Sequence, residues 1–184
     1  MPGVVRIPRI GLLGAECSGK SSLAHALGAA LPGCVVQEEL RRVVGELGRP
    51  PHAWEQAAIL QRQAALEEER AANCTLPWLI ADPAPLMTAV YSVEYFADEG
   101  LLAEGFAHAR GYDLLIWCAP DVPWASDGIM RDGPARRSST EECIARILHA
   151  ADAASLPPVI RVTGDVAERV RRVTSAVGSA QADP

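Results

Sequence analysis

The residues of the stretch Gly14–Ser22 (GAECSGKSS) restrict the backbone conformation more strictly than any other part of this sequence does. It matches the pattern G-x-x-x-x-G-K-[ST], in which the glycines allow a tight turn that brings backbone N–H groups against phosphate oxygens. Lys20 can then reach the β- and γ-phosphates of a nucleotide, and the hydroxyl of Ser21 can bind Mg²⁺. Such a loop needs a strand before it and a helix after it.

Both flanks of the loop have the required character. Residues 4–13 are rich in Val, Ile and Leu, which favours a strand, and residues 21–31 are rich in Ala and Leu, which favours a helix. Phosphate would then lie at a helix N-terminus, where free N–H groups and the helix dipole favour anions. The alternative is a chance match in a glycine-containing loop. The residues predicted to bind the nucleotide are Gly14, Glu16, Cys17, Ser18, Gly19, Lys20, Ser21 and Ser22.

The composition argues against several classes of protein. With 184 residues, the chain fits a single domain over residues 1–184. The net charge of −6 and the absence of a basic run argue against a nucleic-acid partner, although an acidic total is compatible with a local basic patch. No apolar run approaches the roughly 20 residues of a membrane span, and the N-terminus lacks the apolar core of a signal peptide. We therefore expect no membrane partner.

The five cysteines are scattered, and no C-x-x-C pair suggests zinc binding or redox chemistry. We expect free thiols in the reducing cytoplasm. Cys17 is either a reactive thiol inside the loop or a small residue that fits the turn. Residues 178–184 are expected to be frayed.

Apolar, strand-like runs alternate with longer helical ones along the chain. Strands are predicted at residues 6–13, 34–37, 77–82, 112–118 and 159–162. Helices are predicted at residues 21–31, 39–47, 53–72, 86–97, 101–109, 140–154 and 166–177. This alternation predicts an α/β fold in which helices cover a parallel sheet. The charged run at residues 67–70 is expected to lie on a solvated helix face.

Asp82 ends an apolar strand that follows the loop and its helix. This position suits a carboxylate that holds Mg²⁺, directly or through water. It also suits a base that accepts the proton of a substrate hydroxyl. The structural alternative is a helix cap, because Pro83 follows at a position that proline favours at helix starts.

Glu38 and Arg41 follow the second predicted strand, where the carboxyl ends of parallel strands face a ligand crevice. A carboxylate and a guanidinium there can bind substrate hydroxyls and phosphate. A surface ion pair, or a helix-capping Glu beside an ordinary Arg, explains them equally well.

Residues 120–137 are too rich in Pro, Gly and charge for a regular element, and they contain Arg131, Arg136 and Arg137. Guanidinium groups neutralise the charge that develops during phosphoryl transfer. We predict a mobile lid here that closes over ATP, against the alternative of a polar surface loop. The segment at residues 163–165, which includes Gly164, suits either a loop against adenine or a helix N-cap.

The order of these motifs resembles the NadR-like family of P-loop ATPases, which contains the nicotinamide riboside kinase domain of the bifunctional NadR protein. The glycine-rich loop is close to the family's G-x-E-S-S-G-K-[ST]. Residues 38–41 (EELR) stand where the family has E-[YP]-x-R, and residues 82–88 (DPAPLMT) resemble D-T-x-x-L-x-T. Residues 124–131 (WASDGIMR) resemble the lid signature W-x-x-D-G-x-R.

The resemblance implies a three-layer P-loop NTPase fold whose five-stranded parallel sheet has the order 2-3-1-4-5. It implies that Lys20 and Ser21 bind ATP and Mg²⁺, and that Asp82 lies near the transferred phosphate. Glu38 and Arg41 are implied near the acceptor, and Arg131 in the lid.

Three positions depart from the family pattern, namely Pro83, Ala84 and Met130, and they bear on the substrate more than on the phosphate chemistry. The leading hypothesis is therefore an ATP-dependent kinase that acts on a hydroxyl of a small metabolite, with a nucleoside such as nicotinamide riboside as first candidate. A nucleotide-dependent switch with a protein partner is the alternative, and a non-catalytic nucleotide-binding module is the third. The sequence leaves the base preference and the oligomeric state open, a homodimer included.

Overall fold

The computed structural model of the protein describes residues 6–124, 133–151 and 155–181. These residues form a parallel sheet of five strands in the order β2-β3-β1-β4-β5, which confirms the predicted fold class and strand order. The strands are β1 (Arg9–Leu13), β2 (Gly33–Val36), β3 (Trp78–Ala81), β4 (Leu114–Cys118) and β5 (Val159–Val162).

Helices cover both faces of the sheet. The described residues form seven α-helices: α1 (Lys20–Ala30), α2 (Glu39–Leu47), α3 (Gln56–Asn73), α4 (Leu86–Phe96), α5 (Leu102–Ala109), α6 (Pro134–Ala150) and α7 (Val166–Gln181). A short 3-10 turn, Ala53–Glu55, precedes α3.

Side chains of the central strand alternate between two apolar cores. Ile10 and Leu12 point into a core shared with α1 and α7, whereas Leu13 points into a core shared with α3, α4, α5 and α6. All three side chains are at most 1% exposed, and burial of each contributes about 1.5–3 kcal/mol of hydrophobic free energy. These two cores hold the strand that leads into the glycine-rich loop.

The strand register brings the loops after β1, β2 and β3 to one edge of the sheet. In β1, Ile10 lies opposite Ile80 of β3 and Leu114 of β4, and in β2 Val36 lies opposite Ala81. Because parallel strands end at a common edge, the glycine-rich loop, Glu38 and Asp82 all start from there.

The structure corrects the predicted start of the sixth helix. This helix begins at Pro134, so the last four residues of the predicted lid, 134–137, are helical. Gly133 has a φ of 103° and Pro134 occupies the first helical turn, where proline needs no hydrogen-bonded N–H. At the other end of the chain, α7 continues to Gln181, past the predicted end at residue 177.

The expectation that residues 67–70 lie on a solvated face is wrong for Glu67, which is 4% exposed. Glu67 belongs to the buried stripe of α3, in helical register with Leu60 and Gln63. The Tyr112 hydroxyl donates to its carboxylate at 2.7 Å. Burial raises the pKa of Glu67 to about 7.

The expectation of free thiols is wrong for Cys34 and Cys74, which form a disulfide with a Cα–Cα distance of 6.2 Å. Forty residues separate them, and only the packing of α3 against β2 brings them together. Cys17, Cys118 and Cys143 are not part of a disulfide, which agrees with the prediction for these three. No helix among the described residues is long and apolar enough to cross a membrane.

Candidate active site

The glycine-rich loop has the backbone conformation that its sequence pattern predicts. Gly14 has a φ of 147° and Gly19 a φ of 82°, both in the region that glycine favours. A Cβ atom on Gly14 would lie 2.6 Å from the Oγ of Ser18 and 2.8 Å from the carbonyl oxygen of Cys118. The loop therefore leaves no room for a side chain at this position.

Lys20 is the first residue of α1, and its side chain folds over the loop. Its ammonium group donates to the carbonyl oxygens of Gly14 (2.8 Å) and Ala15 (2.9 Å). Ser21 and Ser22 follow in the first turn and are exposed. A positive charge, free N–H groups and a helix N-terminus thus meet at one point, which suits a phosphate group.

Arg169 lies on α7, is 1% exposed, and supports the glycine-rich loop through a hydrogen bond to its backbone. Its guanidinium donates to the carbonyl oxygens of Ser18 (2.5 Å) and Ala119 (3.0 Å), and its Nε to that of Gly164 (3.0 Å). It also forms an ion pair with Asp121. One side chain thereby joins the glycine-rich loop to the loops after β4 and β5. The sequence gives no local signal for this role, because Arg169 is an ordinary charged residue of an amphipathic helix.

Gly164 and Asp165 form the start of α7. The Asp165 carboxylate accepts from the backbone N–H of Glu168, and the Glu168 carboxylate accepts from that of Asp165, both at 2.8 Å. This reciprocal pair is a helix cap, one of the two predicted alternatives. The Gly164 N–H donates to Asp121 at 2.7 Å. Burial acts to raise the pKa of Asp121, but this N–H and Arg169 outweigh it and hold the pKa below its usual value.

Asp82 follows β3 directly and is 5% exposed. Its backbone N–H donates to the carbonyl oxygen of Val36 at 2.9 Å, which fixes it beside the end of β2. The peptide bond from Asp82 to Pro83 is cis. Ala84 then donates to the carbonyl oxygen of Leu12 at 3.0 Å, so the turn is tied to both neighbouring strands.

A cavity of about 380 Å³ extends from the glycine-rich loop towards α2 and α4. Its volume lies in the range of small-molecule pockets. The loop residues that line it are Glu16, Cys17, Ser18, Gly19, Lys20, Ser21 and Ser22. The remaining lining residues are Glu38, Leu40, Arg41, Val44, Pro50, Pro51, Gln56, Tyr91, Tyr95 and Phe96.

Glu38 is the residue before α2 and has an extended backbone. Burial raises the pKa of its carboxyl above the usual value, and the nearby Asp82 charge adds to the rise. Lys20 and Arg41 act in the opposite direction. The structure thus brings Lys20, Asp82, Glu38 and Arg41 within electrostatic reach of one another.

Helix α4 supplies an aromatic wall of the cavity that was not predicted from the sequence. Burial raises the pKa of the Tyr91 hydroxyl well above its usual range, and the charge of Glu38 adds to this. The rings of Tyr91 and Tyr95 are 6.2 Å apart, and those of Tyr95 and Phe96 are 6.4 Å apart. The available signal was aromatic residues spaced by four on the helix that begins just after Asp82.

The predicted lid arginines have different surroundings. Arg136 forms an ion pair with Glu94 at 2.9 Å and lies 4.9 Å from the centre of the Tyr95 ring. Arg137 donates to the carbonyl oxygens of Pro120 and Val122. Both start from α6 rather than from a loop. Arg131 lies outside the described residues.

The family model AAA_28, described as an AAA domain, matches residues 9–169. No curated protein sequence matches the chain significantly.

Among solved structures, the NadR protein in complex with NAD and AMP-PNP has a TM-score of 0.71 and 17% identity, over 95% of this chain and 49% of that chain. The deoxyadenosine kinase from M. mycoides has a TM-score of 0.65 and 13% identity, over 93% of this chain and 99% of that chain. The shikimate kinase from Aquifex aeolicus has a TM-score of 0.57 and 15% identity, over 96% and 99%. The chain thus spans about half the length of the NadR protein. At these identities the likeness establishes the fold.

Proposed function

The chain belongs to the AAA_28 family of AAA domains, and from this premise we propose that it is an ATP-dependent small-molecule kinase. It transfers the γ-phosphate to a hydroxyl of a nucleoside-like metabolite. Nicotinamide riboside is the first acceptor to test, because the motifs resemble those of NadR-like proteins.

The observation that carries this proposal is the single cavity that joins the glycine-rich loop to Glu38 and Arg41. A phosphate donor and an acceptor have to meet within one enclosed space for direct transfer, since holding them together supplies much of the acceleration. A nucleotide switch with a protein partner needs no such continuation beyond the nucleotide site.

In this proposal, backbone N–H groups between Gly14 and Ser22 hold the phosphates of ATP, and Lys20 contacts the β- and γ-phosphates. The Arg169 side chain donates to the carbonyl oxygens of both Gly164 and Ser18, which holds Gly164 near the glycine-rich loop. Gly164 is therefore assigned to the adenine side of the site. Arg131 is assigned to the developing charge on the transferred group.

The residues proposed for Mg²⁺ are Ser21 and Asp82. Among the described residues, no group of three or more His, Cys, Asp or Glu side chains is arranged to hold a metal ion by itself. A hydroxyl and a carboxylate suit Mg²⁺, which commonly takes its other ligands from substrate phosphates and water. When bound, the ion supplies positive charge that neutralises the phosphate oxygens.

Glu38 and Arg41 are proposed to bind the acceptor. Among the described residues that line the cavity, the carboxylates are those of Glu16 and Glu38, whereas Asp82 is buried beside it. We therefore assign the acceptor hydroxyl to Glu38 and the metal to Asp82. The hydroxyl oxygen bonds to the γ-phosphorus, the bond from that phosphorus to the β–γ bridging oxygen breaks, and Glu38 receives the hydroxyl proton.

The test is a turnover screen with ATP and Mg²⁺ against nicotinamide riboside, adenosine, deoxyadenosine, cytidine and shikimate. Mass spectrometry detects a phosphorylated acceptor, and Lys20→Ala is the inactive control. We expect one or more nucleosides to be phosphorylated. ATP hydrolysis without a phosphorylated product would instead support the nucleotide switch, and ATP binding without hydrolysis would support a binding module.

A further inference from the structure

Gln56, the first residue of α3, is 3% exposed and yet lines the cavity. Its amide oxygen Oε1 is shielded from solvent and accepts no hydrogen bond from the residues that the structure describes. Buried polar groups almost always have a partner, so an unpaired acceptor in a cavity wall calls for one from outside the chain.

Gln63 lies on the same helix, is 2% exposed, and serves as a comparison for the hydrogen bonding of Gln56. Its Oε1 accepts the backbone N–H of Glu39 at 2.8 Å, which joins α3 to the start of α2. Gln63 therefore has an evident structural role for its oxygen, whereas Gln56 does not. Each glutamine leaves one buried atom without a partner among the described residues, Oε1 in Gln56 and Nε2 in Gln63. Of the two, Gln56 lines the cavity.

The apolar part of the cavity wall on α4 is aromatic. Tyr91, Tyr95 and Phe96 supply ring faces and edges on α4. Tyr95 and Phe96 remain 39% and 38% exposed. Aromatic side chains pair favourably with other planar rings in offset-stacked or edge-to-face arrangements.

We propose that the part of the cavity away from the glycine-rich loop is a slot for a planar aromatic ring that carries an N–H donor, and that Gln56 selects this ring by accepting the donor's hydrogen bond. The activity readouts of this inference rest on the proposed kinase function, but its binding readouts do not. It narrows the acceptor from any small hydroxyl compound to a riboside whose ring bears an amino or carboxamide group.

The experiment uses two pairs of ribosides that differ at the donor. Adenosine is compared with purine riboside, which lacks the amino group, and nicotinamide riboside with nicotinic acid riboside, whose carboxylate replaces the carboxamide. Binding is measured by calorimetry and turnover with ATP and Mg²⁺. The variants are Gln56→Leu and Gln56→Glu, with Gln61→Leu as the control because Gln61 is exposed on the same helix.

We expect the wild-type protein to prefer the donor-bearing member of at least one pair by about 10- to 100-fold, since a site built for a hydrogen bond rejects the analogue without it. Gln56→Leu should bring that preference to within about 3-fold, whereas Gln56→Glu should keep it, because a carboxylate also accepts. The Tm of Gln56→Leu should be no lower than that of the wild type, since the change removes an unpaired buried acceptor. A merely structural Gln56 would lower it.

Equal binding of both members of both pairs, or an unchanged preference in Gln56→Leu, overturns the proposal. Phosphorylation of shikimate but of no riboside also overturns it, while the kinase function stands. Selective binding of a riboside without any phosphorylated product supports the slot and removes the kinase function.

Discussion

One half of the cavity is formed mainly by backbone groups and the other half mainly by side chains. The half at Gly14–Ser22 is defined by its backbone, in which Gly14 and Gly19 have positive φ angles, and helix N–H groups are proposed to bind the phosphates. The other half consists mainly of side chains on or next to three helices, among them Glu38 before α2, Gln56 on α3 and Tyr91 on α4. A backbone site is specific for phosphate, which every nucleotide shares, whereas a side-chain site can be changed for each acceptor.

This difference predicts that substitutions in the two halves have different effects on binding and turnover. Damage to the backbone half should remove ATP binding for any acceptor. Damage to the side-chain half should leave ATP binding intact and change which acceptor is used or how fast it reacts.

The largest effect is expected from Lys20→Ala, which should lower turnover by about 10³-fold or more because a charge on the transferred phosphate loses its partner. Circular dichroism should show an unchanged fold. Lys20 is the only lysine in the sequence, so Lys20 and the N-terminal amine are the only amines that acetic anhydride can acetylate, and peptide mapping identifies the Lys20 product. Mg-ATP should protect Lys20 from acetylation in the wild-type protein, and a lack of protection would contradict the assigned site.

Arg131→Ala should slow phosphoryl transfer by about 10³-fold if Arg131 stabilises the transition state in the manner of an arginine finger. Arg136→Ala is the matched comparison, because Arg136 pairs with Glu94. Single-turnover kinetics separate the chemical step from ATP binding. If both variants slow the reaction equally, Arg131 has no special role.

Glu38→Gln should lower kcat by about 10²- to 10⁴-fold, the usual contribution of a general base, with little change in ATP affinity. The base has to be ionised, so kcat/KM should fall as the pH falls through the pKa of Glu38. Burial raises that pKa, which moves this limb of the pH profile above the range of an ordinary glutamate. A pH profile that keeps the same acid limb in Glu38→Gln would assign the limb to another group.

Arg169→Ala should reduce the free energy of unfolding by about 1–3 kcal/mol, since the carbonyl oxygens of Ser18 and Ala119 lose the buried donor that they share. The loop would lose its support, so the KM for ATP should rise more than kcat falls. Arg172→Ala is the control because Arg172 is exposed on the same helix. Urea denaturation and ATP titrations measure the two effects, and equal losses in both variants would show that Arg169 supports nothing special.

The same contrast explains what could be predicted from the sequence. The glycine-rich loop follows a local code, because two glycines, Lys20 and Ser21 at fixed spacing define the backbone that they need. The strand order was predictable only through the resemblance to NadR-like proteins. The end-of-strand positions of Asp82 and Glu38 were also predictable, since parallel strands place their carboxyl ends together.

The remainder of the site depends on contacts between distant segments. Gln56 and Tyr91 reach the cavity only because α3 and α4 pack beside each other. Arg169 is more than 100 residues from Ser18, and the packing of α7 against α1 brings them together. The pairing of Cys34 with Cys74 has the same origin. No spacing rule in one sequence encodes such pairings.

The smallest expected effect concerns Cys17, whose φ of 54° is unusual for a residue with a side chain. If the loop is a backbone structure, stability should follow the conformational preference of this residue and not its thiol. Cys17→Gly should raise the free energy of unfolding by up to about 1 kcal/mol, because glycine adopts this conformation without strain. Cys17→Val should lower it by about 1–2 kcal/mol, because a β-branched residue is strained there. Thermal unfolding of both variants measures the difference, and losses of equal size would show that the thiol, through contacts such as that with the carbonyl oxygen of Pro123, matters more than the backbone.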